Sequence, residues 1–412
     1  MSRIAIIGGG AAGFFLAVNL KERAADAEVC IFEKSRKVLA KVEISGGGRC
    51  NCTNSFAEVS DLKTVYPRGD KLMKRLMKVF SHKDAYRWFE ERGVPLVTQE
   101  DQCVFPKSQD SHSIINCLTA YAHRLGVKVM RSCSCTSIAP DGEGFSLTFK
   151  TEEGARTERF DKVAVTTGGS PQRQGLEWLE RLGHSICEPV PSLFTFNINS
   201  PSLRKLMGTV VENATASIPG TKFRCAGPLL ITHWGMSGPA ILKLSSHGAR
   251  HLAENDYRSS LIVNWTGESN TDSVIERIAE IAQENAQKQL SSVRPYAIPQ
   301  RLWDYLTEKC DMKREKRWGE LGRKGINRIA NILTNDTYNI EGKSAFREEF
   351  VTCGGVSLSS VNMSTLESKH CPGLYFAGEV LDIDAVTGGF NFQAAWTTAY
   401  TVAQNIIKTD QL

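Results

Sequence analysis

RIAIIGGGAAG, residues 3–13, decides the fold. Ile4 to Ile7 is a short, wholly apolar run of the kind that forms a parallel strand buried on both faces. Gly8 to Gly13 breaks it, and Phe14 to Arg23 then carries apolar residues at helical spacing. Gly8-x-Gly10-x-x-Gly13 therefore sits between a strand and a helix. In that context Gly8 permits the tight turn, Gly10 lets the backbone approach a diphosphate, and Gly13 lets helix and strand pack closely. The helix start offers free N–H groups and a partial positive charge to the phosphates. Val29 to Phe32 reads as the next strand, and Glu33 follows it, 20 residues after Gly13, where a carboxylate accepts hydrogen bonds from an adenosine ribose.

Further along, Ser45-Gly-Gly-Gly-Arg-Cys-Asn51 is a second glycine-rich loop. Ser81 with Asp84 three residues on reads as a capping box, with Trp88 and Phe89 on the apolar face of the helix it opens. Asp110 to Leu125 is an amphipathic helix ending at Gly126, and Val127 to Met130 a strand. Residues 136–160 alternate in polarity as a small β-meander, and Lys162 to Thr166 returns as a strand that stops at Gly168-Gly169. The texture changes near Pro189. Short β-like runs occupy 193–232 and 260–266, a helix follows Ser237-Gly238-Pro239, and 271–335 is polar and helical. Near Phe350 the opening style resumes with a Gly354-Gly355 turn, a strand from Gly373 to Ala377, a Gly388-Gly389 turn and a helix from Phe392 to Ile407.

The placement of these motifs favours FAD over NAD. Gly378-Glu379 follows a strand, where an acid bonds ribityl hydroxyls, and the helix after Gly388-Gly389 aims its N–H groups at a flavin's pyrimidine edge. Cofactor motifs at both ends of the chain suit a dinucleotide that spans a domain. No second GxGxxG occurs, so a separate NAD(P)H domain is replaced by the segment between them.

The chain has 412 residues, 41% hydrophobic and 23% charged, as in ordinary globular proteins. Its net charge of +5 forms no basic tail, and the charges of 271–335 alternate in sign, so charge gives nucleic-acid binding no support. Twelve cysteines in so long a chain follow no zinc spacing and read as thiols of a reducing cytoplasm. No metal-ligand cluster stands out. Arg3 and the apolar residues to Leu20 mimic a secretory leader, but four glycines interrupt them and Lys21-Glu22-Arg23 follows at once. No apolar run is long enough for a membrane span.

Six stretches carry a resemblance: IAIIGGGAAG, KVEISGGGRCNCTN from Lys41, VFPKS from Val104, THWGMSGPAILKLS from Thr232, VTCGGVSL from Val351, and MSTLESKHCPGLYFAGEVLDIDAVTGGFNFQAAW from Met363. In order, and over nearly the whole chain, they resemble the BaiN/YhiN-like family of FAD-dependent oxidoreductases. The resemblance implies an α/β fold. A Rossmann-like FAD-binding domain with a three-layer sheet and β-meander would be built from 1–189 and 349–412. An inserted β-barrel-like and helical domain would occupy 190–348, β-rich at 190–267 and 336–348 and helical at 268–335. Gly8, Gly10, Ala12 and Gly13 would then hold the diphosphate, Glu33 the ribose, and Lys34 and Cys135 lie at the adenosine. Lys41, Gly48, Arg49, Cys50 and Asn51 would wrap the diphosphate and flavin, with Thr167 and Gly168 closing the sheet. Gly378 and Glu379 would take the ribityl chain, and Gly389, Asn391 and Phe392 the isoalloxazine edge. The chain departs from the family at Gln102-Cys103, Ala385 and Ala399. The departure at Gln102-Cys103 weakens any role for an arginine there.

The reaction is less defined. His233 is the candidate proton donor. Cys50 beside Arg49 reads as a low-pKa thiol or as packing in a glycine loop, and Trp303 and Trp318 as core. The expectation is a cytoplasmic flavoenzyme moving a hydride between NADH or NADPH and a small organic acceptor such as an enone. The alternatives are an FAD-binding protein acting on or sensing RNA, and an amine or ketone oxidase that does not use NAD(P)H.

Overall fold

A computed structural model describes residues 2–343 and 351–410. Two compact units emerge, one from Met1–Pro191 with Glu348–Leu412, the other from Ser192–Arg347. The boundary expected at 348–349 lies outside the described residues.

The first unit is built on a five-stranded sheet in the order Leu374–Phe376, Lys162–Val165, Arg3–Ile7, Glu28–Phe32, Lys128–Met130. Every pairing in it is parallel, with Ile7 opposite both Val165 and Phe32. Ile4 to Ile7 are buried, as the apolar run requires of a strand covered on both faces. The two ends of the chain thus share one sheet, the 374–376 strand adding at the edge beside 162–165. The meander forms from Ser134–Asp141, Gly144–Thr151 and Gly154–Phe160, all antiparallel, and covers the sheet with Phe149 stacked on Phe32 at 4.1 Å.

Opposite the meander, helix Ala11–Arg23 is buried along nearly its whole length. Phe15, at 0% exposure, contacts four aromatic rings: Trp88 at 4.4 Å, Trp396 at 5.1 Å, Phe80 at 5.5 Å and Phe89 at 6.2 Å. Trp88 and Phe89 come from helix His82–Glu90, which opens on the expected capping box of Ser81 and Asp84. Trp396 comes from the closing helix Phe390–Asp410 and donates to the Cys52 carbonyl at 2.8 Å. One ring therefore joins the first helix to the last.

Three local expectations are corrected. Gly354-Gly355 is no turn: both lie inside strand Val351–Val356, where a Cβ on Gly354 would stand 2.4 Å from the Glu188 carbonyl oxygen. The glycines there serve close backbone approach and a positive φ instead of a reversal of the chain. Residues 45–51 are not wholly loop, because a helix runs Ala40–Gly48 and breaks at Ser45–Gly47. The closing helix starts at Phe390, two residues earlier than its apolar pattern suggests.

The second unit holds a seven-stranded sheet in the order Asp336–Ile340, Ser259–Asn264, Val210–Ser217, Arg224–Ile231, Gly235–Ser237, Phe196–Asn197, Gly342–Lys343. Its pairings are antiparallel. The strands at its two edges are separated in sequence by Glu341 alone, whose amide bonds the Asn197 carbonyl at 2.9 Å. A sheet whose edges are joined by one residue must curl until they meet, which makes the insert barrel-like. Helices Pro239–His247, Thr271–Glu284, Gln300–Lys309 and Gly322–Thr334 accompany it. Trp303 and Trp318 are buried at 1% and 0% exposure with rings stacked 6.0 Å apart, so they are core. Asp336 is also fully buried and bonded to Trp265 Nε1 at 3.0 Å, to Tyr338 and to Lys309.

Phe15→Ala would remove the ring at the centre of the aromatic cluster. Urea unfolding should show a loss of about 3–5 kcal/mol.

Candidate functional site

The candidate site lies at the C-terminal ends of the parallel strands of the first unit, where open α/β sheets bind ligands. Strand Arg3–Ile7 ends at Gly8, whose φ of +117° and whose place 2.4 Å (as a Cβ) from the Thr166 carbonyl oxygen admit only glycine. A Cβ on Gly13 would stand 2.0 Å from the Gly8 carbonyl oxygen, so helix and turn touch there without a side chain between them. Gly10 is different. It is extended at φ −91°, a conformation open to any residue, and a Cβ there would meet nothing within 4 Å. Nothing in the protein demands glycine at Gly10, and the space above it suits a close-lying ligand. The helix behind has no side-chain cap and no acid in its first turn, so its leading amides stay available to an anion. Gly47 and Gly48 face open space in the same way.

Glu33 follows strand Glu28–Phe32 and turns back to the loop. Its Oε2 accepts from the Gly9 amide at 2.8 Å and its Oε1 from the Ser35 amide at 2.9 Å. Oε1 also accepts from Ser35 Oγ at 2.8 Å, so Oε2 is the oxygen that retains a lone pair for a ribose. Lys34 beside it is exposed, and Cys135 is half-buried at the bulge of its strand, with its thiol pushed up to about 12 by burial.

Lys41 reaches across to Glu379, Nζ to Oε2 at 2.9 Å. Glu379 Oε1 accepts from the Thr352 amide at 2.8 Å. Burial alone would raise this carboxyl, but the Lys41 charge and the amides of Thr352 and Gly169 prevail and hold it below the usual glutamate value. Glu379 is thus a fixed anion and acceptor. Gly168 has φ +75° and lies 3.8 Å, as a Cβ, from Glu379 Oε2, while the Gly378 amide donates to Thr398 Oγ1 at 2.9 Å. Thr167 is exposed at the mouth of this group.

Arg49 lies over the Phe105 ring at 4.3 Å and donates to the Gly46 carbonyl. Cys50 is fully buried, and burial pushes its thiol up to about 12, which favours packing over a reactive thiol. Asn51, oriented as its neighbours require, donates to the Thr53 carbonyl at 2.9 Å and accepts from the Gly389 amide at 3.2 Å. Asn391 clamps Ala385, accepting from its amide at 2.9 Å and donating to its carbonyl at 3.0 Å. Phe392 is half-buried and stacks on Trp396 at 5.7 Å. Asn391 and Phe392 therefore shape the loop and helix start, with their side chains engaged inside the protein.

His233 belongs to the other unit. It lies exposed in the turn between strands Arg224–Ile231 and Gly235–Ser237, its ring 4.2 Å from Trp234.

Several contributors escaped sequence reading. Thr166 Oγ1 donates to the Gly8 carbonyl at 2.9 Å, and Thr352 and Gly169 lend only backbone. Backbone donors leave no sequence signal. Asp384 lies inside a recognisable motif, but its partner Arg68 lies in none. Lengthwise, charge also divides unevenly. Ser192–Arg347 carries 21 Lys and Arg against 15 Asp and Glu, a net +6, and the other unit 29 against 30.

The HI0933-like protein Rossmann domain matches residues 2–405 of the chain. The 3-dehydro-bile acid delta(4,6)-reductase of Clostridium scindens is 25% identical over 414 residues, spanning 97% of this chain and 98% of that protein. The ribosomal RNA dihydrouridine synthase of Escherichia coli is 27% identical over 413 residues, 98% of this chain and 97% of that protein. Among solved structures, the 3-ketosteroid-delta4-(5alpha)-dehydrogenase of Rhodococcus jostii shares the fold, with a TM-score of 0.52 at 12% identity over 98% of this chain and 96% of that one.

Three substitutions test this geometry. Gly10→Ala should leave stability within about 0.5 kcal/mol of the parent while weakening FAD binding about tenfold in a fluorescence titration. Gly13→Ala should instead cost roughly 1–3 kcal/mol or more in folding, because backbone has to move. Lys41→Met should destabilise at neutral pH. A carboxyl held low stabilises the fold above its unfolded value, near 4.5, and loses that contribution as pH falls through its folded value. The difference between parent and variant should therefore shrink below about pH 4.5 in pH-dependent unfolding.

Proposed function

The chain belongs to the HI0933-like Rossmann family of flavoproteins, and from that premise we propose that it is an FAD-dependent reductase of carbon–carbon double bonds conjugated to a carbonyl. The observation that carries the FAD reading is the open cradle over Gly10, Gly47 and Gly48 beside the Lys41–Glu379 pair. These residues fit a dinucleotide. Gly10 and the amides of Ala11, Ala12 and Gly13 would hold the diphosphate, Glu33 the ribose, and Glu379 the ribityl hydroxyls. The start of helix Phe390–Asp410 would face the pyrimidine edge, where its amides favour negative charge.

Bound FAD would supply a two-electron carrier between a nicotinamide nucleotide and the acceptor. The chain's own task is to hold charge in place. Lys41 and the Thr352 amide keep Glu379 ionised, so it accepts and never donates. His233, exposed in its turn, is our candidate donor to the acceptor carbon. NADH or NADPH is the proposed reductant, and a cytoplasmic location is proposed with it.

The acceptor class comes from the two relatives. One name describes saturation of delta(4,6) bonds in a 3-dehydro steroid acid, the other saturation of a uridine. Both contain a double bond in conjugation with a carbonyl, which takes hydride at its far carbon and a proton next to the carbonyl. A second reading, that the acceptor is a uracil base presented in RNA, comes from the printed name of the second relative.

Anaerobic mixing of the FAD-loaded protein with NADH and with NADPH should bleach the flavin absorbance with one of them. Reoxidation is then followed with a steroid dienone and with uridine-containing ribosomal RNA. Bleaching followed by recovery with either acceptor supports the function, and recovery with RNA alone, lost at high salt, supports the second reading. No bleaching by either nucleotide would sink the reductase.

A further inference from the structure

Ile383 to Phe390, the segment that leads into the closing helix, is strapped by a stretch of chain outside every flavin motif. Its partner is Val65 to Gly69. The Val386 amide donates to the Val65 carbonyl at 2.9 Å. Tyr66 Oη donates to the Phe390 carbonyl at 2.8 Å. Arg68 and Asp384 form a backbone bridge, and their side chains meet in a two-point ion pair, Nε to Oδ1 and Nη2 to Oδ2. Gly69 lies so close to Ile383 that a Cβ would stand 2.8 Å away.

The ion pair is costly to bury. The Asp384 side chain is 0% exposed and that of Arg68 only 11%. Such a pair persists where the planar guanidinium matches both carboxylate oxygens, and what it contributes beyond an apolar contact is a single register. Register matters here because the electrostatic effect of a helix start fades within about one turn. From the other side, Asn391 clamps Ala385 and Asn51 accepts from the Gly389 amide. The helix start is thus held by side chains on both flanks.

We propose that Arg68 and Tyr66 are positioning residues for the flavin, holding Ile383–Phe390 in the register that aims the closing helix at the isoalloxazine. Arg68 also neutralises Asp384, whose unpaired charge would oppose electron uptake by a flavin in that loop. This rests on the FAD reading above.

The test compares the FAD-loaded parent with Arg68→Met, Arg68→Lys, Tyr66→Phe and the double variant Arg68→Met/Asp384→Asn. Readouts are the FAD dissociation constant, the visible flavin spectrum and the midpoint potential. Arg68→Met should weaken FAD at least tenfold and make the potential more negative. The double variant should recover the potential, because both charges are gone. Arg68→Lys, which keeps the charge without the fork, and Tyr66→Phe should each give smaller shifts and remain informative if Arg68→Met does not fold. A merely structural pair predicts a lower melting temperature with affinity, spectrum and potential unchanged in every folded variant, which would overturn the proposal alone. A parent that takes up no FAD overturns the FAD reading and this proposal together.

Discussion

The carbonyl of Gly8 is the point on which the first unit turns. A Cβ on Gly13 would lie 2.0 Å from its oxygen, and Thr166 Oγ1 donates to it at 2.9 Å. The first strand, the first helix and, from 158 residues away, the end of strand Lys162–Val165 converge on one oxygen atom. The helix can start there only because Gly13 lacks a side chain, and its uncapped amides then face outward at the sheet's end. Move that contact by an ångström and both the phosphate cradle and the seat of Phe15 against Trp396 shift with it.

Trp396 explains why the chain comes back. Strand Leu374–Phe376 completes the sheet, and the helix after it supplies the ring that closes the aromatic cluster begun by Phe15, Trp88 and Phe89. The first 190 residues alone would leave Val165 at an open sheet edge and strip Phe15 of Trp396, one of its four ring partners. An insertion between the two segments costs comparatively little, since loop closure grows only as the logarithm of length. Core formation therefore requires the return, and the cofactor residues at Gly378, Glu379 and Gly389 arrive with it.

Much of this unit was legible in the sequence, for a steric reason. Gly8 and Gly13 are dictated by backbone approach, which leaves glycine alone as the answer, and Ser81 and Asp84 by orphan amides, which leave a short list of capping residues. Gly354-Gly355 shows the limit: a doublet that signals special backbone does not say whether the chain turns or is crossed closely in a strand. Asn391 and Phe392 show another. Position beside a cofactor motif did not reveal that their side chains hold Ala385 and Trp396.

The insert was legible in outline and not in detail, and the difference is physical. Its strands and helices follow from polar alternation, but its closure depends on Glu341 passing between two edges and on a fully buried Asp336 held by Trp265, Tyr338 and Lys309. Many residue combinations satisfy a buried carboxylate, so no spacing announces this one. The same asymmetry governs function. A dinucleotide is gripped largely by main-chain amides, which only a few glycines permit, and so writes itself into the sequence. A substrate is recognised by side chains, which many residue combinations can supply, and so leaves no comparable mark. The cofactor is therefore the more readable half of this protein's chemistry.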